Sequence, residues 1–218
     1  MFTKVKRGLL LVFLGTMALI CVACGNNQTD DTENNKGTEN EIASESETEK
    51  PVEIVDATDI LTKAWESYEE TDTDGNIYND RFAIMGGHFE SAVMDMPAKY
   101  DLTQASDLEL IYCVPQSASA MIDDAATMVH LMKASTFTAG AYHVTDAANV
   151  KDVLDGMKQQ IQSNHWLDGF PDAFLILTVD EQYVISAIGK VEVIDYFEKA
   201  LKEVYDDQIV VQVKESIR

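Results

Sequence analysis

Apolar and polar positions along this chain fall into three regimes. Leu9 to Val22 is apolar except for Gly15, Thr16 and Cys21. Residues 25–55 are poor in apolar side chains and rich in Asn, Thr, Ser and Glu. From about residue 56 apolar positions recur with the periods of secondary structure, over roughly 160 residues, which is enough for one domain with its own core.

Within that third regime the spacing of Ile60, Leu61, Ala64, Trp65 and Tyr68 predicts a helix over 59–70, with Asp56 and Thr58 placed to cap it. Gly75 breaks the chain after it. Residues 71–115 carry turn formers, Gly86-Gly87, Pro97 and Pro115, between short apolar pieces. Met121, Ile122, Ala125, Met128, Val129 and Met132 share one helical stripe and predict a helix over 117–134. Thr136 to Val144, rich in Thr, Phe, Tyr and Val, predicts a strand. Asp146 is placed to cap a helix carrying Val150, Val153, Leu154, Met157 and Ile161, and Gly169 and Pro171 close that connection. Ala173 to Val179 and Tyr183 to Ile188 predict a hairpin through Asp180-Glu181-Gln182. Val191 to Tyr205 is a helix with Ile194, Phe197, Leu201 and Val204 inward, and Ile209 to Val213 is a final strand.

From residue 136 the order is β-α-β-β-α-β, which predicts an α+β fold with a ferredoxin-like antiparallel sheet and both helices on one face. Phe174-Leu175-Ile176-Leu177 and Tyr183-Val184-Ile185 are apolar at consecutive positions, and such strands are buried on both sides. The additional N-terminal helices, 59–70 and 117–134, are therefore expected to cover the second face. The expectation is a single helix–sheet–helix domain over 56–218.

The first regime reads as a leader. Lys4, Lys6 and Arg7 precede an apolar run shorter than the roughly 20 residues of a membrane span, which fits a signal-peptide core. Leu19-Ile20-Cys21-Val22-Ala23-Cys24-Gly25-Asn26-Asn27 resembles a bacterial lipoprotein signal: small residues, a cysteine, then a polar tail. The resemblance implies cleavage after residue 23 and lipidation of Cys24, which would hold the protein on the extracytoplasmic face of the cell membrane. Cys21 stands where such signals usually have Leu and is a second candidate, but Ile20 before it is a poor cleavage residue. The Cys21-Val22-Ala23-Cys24 spacing is not a redox motif, since it lies in the leader rather than at a strand-to-helix junction of a folded domain. Residues 24–55 then form the lipidated cysteine and a disordered acidic tether; Glu39 to Lys50 alone holds five glutamates and cannot bury enough surface to offset ordering entropy.

Charge narrows the choice of partners. The chain has 38 acidic and 16 basic residues, a net charge of −22, and loss of residues 1–23 would remove three more positive charges. Nucleic acid is excluded as a partner, because phosphates would be repelled. Cationic peptides or divalent ions would be attracted. With Cys24 lipidated and Cys21 removed, Cys113 is alone and forms no internal disulfide. Its neighbours Leu110-Ile111-Tyr112 and Val114 mark it as a small buried hydrophobe.

Candidate chemistry is sparse. Glu70-Thr71-Asp72-Thr73-Asp74-Gly75-Asn76-Ile77 has part of a calcium-loop pattern, but the twelfth position is Arg81 where a bidentate Glu is required. His88, His130, His143 and His165 show no paired helical spacing for zinc. Met94 and Met96 are the one tight methionine pair, too few for a copper site. Asp123-Asp124 would sit in the first half of a helix and complement its dipole. No nucleophile elbow, phosphate loop or zinc-protease motif is present, so no cofactor, metal or catalytic residue is assigned. The residues best placed for a ligand cleft are Tyr142 and His143, late in a strand, with Asp101.

Asp95-Met96-Pro97-Ala98-Lys99-Tyr100-Asp101-Leu102, Ile122-Asp123-Asp124-Ala125-Ala126, Ser135-Thr136-Phe137-Thr138-Ala139-Gly140-Ala141-Tyr142-His143-Val144, and Trp166 followed by Gly169-Phe170-Pro171-Asp172 together resemble uncharacterised clostridial lipoproteins of a domain-of-unknown-function family. Some members carry the label "bacteriocin transport accessory protein". That name belongs elsewhere to thioredoxin-like proteins, whose Cys-x-x-Cys the mature domain lacks. The resemblance spans most of residues 80–213 plus the leader and implies no catalytic residues. The functional expectation is a non-enzymatic envelope lipoprotein that binds a peptide, an envelope component or a partner protein. The alternatives are an extracytoplasmic enzyme built around Tyr142, His143 and Asp101, and a metal-binding lipoprotein.

Overall fold

A computed structural model describes residues 51–67, 83–166 and 169–217, all within one compact unit, Thr48–Arg218. The leader, Cys24, the tether as far as residue 50 and the partial calcium loop lie outside the described residues. Residues 51–55, expected as the end of the disordered tether, are instead part of the domain: Val52 and Ile54 are apolar and pack against its core. No helix among the described residues is long and apolar enough to cross a membrane.

The chain enters at α1 (Ala57–Ser67), whose first turn is capped by Asp56: its carboxylate accepts the Asp59 N–H at 2.8 Å. Short strands β1 (Ile84–Gly86), β2 (Val93–Met94) and β3 (Ala98–Lys99) follow, then α2 (Ala105–Tyr112) and the single turn α3 (Gln116–Ser119). The long elements come next: β4 (Ile122–His130), β5 (Phe137–Val144), α4 (Val150–Ser163), β6 (Ala173–Val179), β7 (Tyr183–Gly189), α5 (Val191–Tyr205) and β8 (Ile209–Ser216). The predicted β5, α4, β6, β7 and α5 are all present. Asp146 does cap, accepting the Ala148 N–H into a 3-10 turn that leads into α4. β8 continues three residues past the predicted Val213.

The helix expected over 117–134 is not formed. Its stripe of Met121, Ile122, Ala125, Met128, Val129 and Met132 spans the strand β4. Ala125, Thr127 and Val129 face one side of the sheet and Ala126 and Met128 the other, all buried. A strand buried on both faces has no period-two polarity, so spacing alone cannot separate it from a helix.

Among the described residues all eight strands join one antiparallel sheet, β2-β1-β4-β5-β7-β6-β8, with β3 also pairing β4. This is not the ferredoxin-like order. In that order the last strand returns to the outer side of the first, here β5. That side is taken by β4, paired along its length from Ile122↔Val144 to Val129↔Thr138, so β8 pairs β6 instead. The consequence is on the helices. β5-α4-β6 and β7-α5-β8 advance across the sheet in the same sense, but β7 runs opposite to β5. Two right-handed crossovers of that kind put their helices on opposite faces. Accordingly Val153, Met157 and Ile161 of α4 pack with Phe174, Ile176 and Val184, whereas Phe197 and Leu201 of α5 pack with Leu175, Leu177 and Ile185. The expectation of both helices on one face is corrected, while two-sided burial holds: α1 joins α5 on one side, and α2 and α3 join α4 on the other.

Consecutive residues of β8 secure it to both layers. Lys214 lies 2.6 Å from both Asp195 and Glu198 of α5, and Glu215 pairs with Lys158 of α4. The core of the α5 face centres on Phe137 and Phe197, edge to face with centroids 5.4 Å apart. Truncating Phe197 to Ala should cost about 3–5 kcal/mol, lost apolar transfer plus a residual cavity, read as a lowered denaturation midpoint with an unchanged slope in urea.

Candidate functional site

The two ends of the sheet differ in chemistry. At the end where the chain enters, Val52 exchanges hydrogen bonds with the Gln208 side chain, at 2.7 and 3.1 Å. The strand ends Ile122, Val144, Tyr183 and Ile209 converge there. At the opposite end the β4–β5 turn, β1 and α2 enclose a cleft of about 660 Å³.

The cleft is built by local geometry. Gly86 lets β1 pass against the Met96–Ala98 backbone, where any Cβ would come within 2.2 Å of the Ala98 nitrogen, and Gly87 turns the chain at φ +81°. That turn delivers His88, which caps the 3-10 turn Phe89–Ser91. His88 Nδ1 faces the Glu90 N–H at 3.4 Å and Nε2 faces the Asp107 carboxylate at 3.1 Å. With Nδ1 accepting, Nε2 donates, and both ring nitrogens are engaged. Asp107 comes from the first turn of α2, where an anion complements the helix dipole. Behind this pair, His88, Tyr100 and Tyr112 form a chain of edge-to-face rings, centroids 6.0 and 5.7 Å apart. Burial pushes the phenols of Tyr100 and Tyr112 up, so both stay protonated; Tyr100 donates to the Gln104 carbonyl at 3.1 Å. The mouth is apolar: Phe89, Leu131 and Met132 are exposed, Met132 by 81%.

The far rim is the His130–Ala134 turn. His130 Nδ1 accepts the N–H groups of Met132 and Lys133 at 3.3 and 3.2 Å, and burial holds its pKa below the ordinary histidine value. Cys113, which follows Tyr112 and is fully buried, caps α2 in the left-handed region at φ 56°. Burial pushes its thiol up to about 12, so it is no nucleophile at neutral pH.

Tyr142, His143 and Asp101 do not share a cleft. Adjacent strand residues point to opposite faces. Tyr142 is wholly buried on the α4 side, its ring lying over Gly140, where a Cβ would strike it. His143 is on the other side at the chain-entry end. Asp101 is exposed and turns its carboxylate onto Thr103, accepting from N at 3.0 Å and Oγ1 at 2.7 Å, bonds that hold its pKa below the usual carboxylate range.

The Asp123-Asp124 pair sits on a strand, not in a helix. A bulge in β4 separates the two roles. Asp123 meets His143 Nδ1 at 2.5 Å, with the Tyr183 ring 4.9 Å from the imidazole. Asp124 does complement a helix dipole, but that of α1: it accepts the Ala57 N–H at 2.8 Å, and Lys99 lies 3.0 Å from its other oxygen. Among the described residues no group of three or more His, Cys, Asp or Glu side chains could hold a metal ion. Met94 and Met96 are both exposed. His88 with Asp107, the pair that defines the cleft, has no sequence spacing to announce it; the one local signal is the Gly86-Gly87 turn before it.

The His130 turn makes the cleft rim pH-sensitive. A histidine with a lowered folded pKa contributes its full stability above the unfolded value of about 6.5 and loses it as pH falls through the folded value. Protonation also removes the Nδ1 acceptor. The urea midpoint should therefore fall between pH 7.5 and pH 5, and His130→Gln should shrink that fall.

No family model, curated protein or solved structure matches this chain.

Proposed function

We propose that this protein is a lipid-anchored, extracytoplasmic binding module, related to the clostridial lipoproteins it resembles, whose binding site is the cleft beside the β4–β5 turn. The observation that carries the reading is the cleft itself: an apolar mouth of Phe89, Leu131 and Met132 over a buried aromatic wall. Exposed aromatic and methionine side chains around a concavity are the usual signature of recognition rather than of solubility. Catalysis at this place lacks support. Both nitrogens of His88 are committed, Cys113 is a neutral buried thiol, and the tyrosines stay protonated. The layout fits an anchored receptor. Chain entry and cleft lie at opposite ends of the sheet, so the point where a tether would join leaves the cleft open.

A second reading rests on Asp123 and His143. A carboxylate on Nδ1 fixes the tautomer with its lone pair on Nε2, the arrangement of a general base. No nucleophile is assigned beside it. Hydrolysis of p-nitrophenyl esters by the purified full chain, abolished by His143→Asn, would favour an enzyme; equal rates for both proteins would remove that reading.

Two measurements test the leading proposal. Nile red, a neutral apolar dye, should brighten and shift blue with the full chain, and Met132→Glu should abolish the effect without changing the far-ultraviolet circular dichroism; a signal untouched by Met132→Glu would place the apolar site elsewhere. In detergent phase partition of bacterial cells, the wild-type chain should enter the detergent phase and Cys24→Ala the aqueous phase, whereas Cys21→Ala should behave as wild type.

A further inference from the structure

The cleft carries a feature that a plain apolar pocket does not need. His88 donates Nε2–H to one oxygen of Asp107, and Nδ1 is held in turn by the Glu90 N–H. The carboxylate is thereby fixed in orientation, with 39% of its side chain still exposed. Among the described residues its second oxygen has one weak contact, from the Ser106 hydroxyl at 3.5 Å. A carboxylate that is held, exposed and set among aromatic rings is a preorganised acceptor for a cation.

The surroundings agree in sign. On the Asp107 side, Asp101 lies close enough to act on both Tyr100 and His88, and Glu90 follows Phe89 in the chain. Lys99 is paired with Asp124. Lys133, on the far rim, reaches toward Gly169, with Nζ 3.2 Å from where a Cβ of that glycine would stand. The field at the mouth is therefore negative on the Asp107 side, beside an exposed apolar rim of Phe89 and Met132.

We infer that the cleft takes a basic peptide segment with an apolar anchor: Asp107 receives a lysine or arginine head group, and Phe89, Leu131 and Met132 cover the adjacent apolar side chain. The inference rests on the cleft being the binding site. His88 is a positioning residue, acting through Asp107. A neutral apolar ligand would use the mouth and leave the carboxylate solvated, and an acidic one would be repelled.

The test is a titration of the full chain in detergent with two fluorescent tetrapeptide amides, Lys-Trp-Lys-Leu and its neutral counterpart Gln-Trp-Gln-Leu, followed by anisotropy. The basic peptide should bind at least about tenfold tighter, the scale of one charge-assisted hydrogen bond, and the advantage should shrink with added salt. Asp107→Asn should erase the preference and leave the neutral peptide's affinity unchanged; it neutralises one of 38 acids, so non-specific attraction would barely move. His88→Gln should reduce the preference in part, at an unchanged circular dichroism spectrum. Equal affinities for the two peptides, absence of binding by both, or a preference that survives Asp107→Asn overturns the inference. The Nile red response of wild type and Met132→Glu then decides separately whether the apolar cleft itself stands.

Discussion

The pairing of β4 with β5 is the constraint on which the rest of this molecule depends. It occupies the outer side of β5 from Ile122 to Val129 and so sends β8 to the other edge, against β6. That choice puts α5 on the face opposite α4, and each strand of the centre becomes apolar on both sides. At one end of the ladder the β4–β5 turn forms the rim of the cleft. At the other end its bulge places Asp123 against His143 and leaves Asp124 to receive the first turn of α1. Fold, cleft and dyad are three consequences of one register.

The chemistry of the cleft follows from how its polar groups are satisfied. Buried or half-buried polar atoms need partners, and those partners decide what is left for a ligand. His88 spends both nitrogens on holding Asp107, so the pair presents an acceptor rather than a base. Tyr100 and Tyr112 spend their hydroxyls within the protein and present ring surface. Phe89 and Met132 are exposed at an energetic disadvantage in water, which binding would relieve. Rigid acceptor, aromatic wall and apolar rim are the three features on which the proposed recognition of a group cationic at one end and apolar along its body rests.

Much of the fold was legible in the chain because its C-terminal half obeys local rules. Asp146 before Val150, the Asp180-Glu181-Gln182 break between two apolar runs, and the Ile194, Phe197 and Leu201 stripe each mark an element that forms where expected. β4 was illegible for a physical reason: Ala125 to Val129 is buried on both faces, and an apolar run without alternation satisfies a helical template as well as a strand. The topology turned on that one element, since a helix there would have left the edge of β5 open to β8. The site was less legible. Tyr142 and His143 look like partners because they are adjacent, but adjacency in a strand means opposite faces. Asp123 and His143 meet across a ladder, and His88 and Asp107 meet between a loop and a helix, 19 residues apart, distances that no spacing rule covers.

Strand order, helix placement and cleft all require β4 to be a strand paired with β5. Solution NMR of the full chain would read this directly. Strong cross-strand contacts between the backbone protons of Met128 and Ala139, and of Ala126 and Ala141, are the predicted result. Sequential amide contacts with an i to i+3 pattern through 122–130, the pattern of a helix, would contradict the register, the strand order and the cleft together.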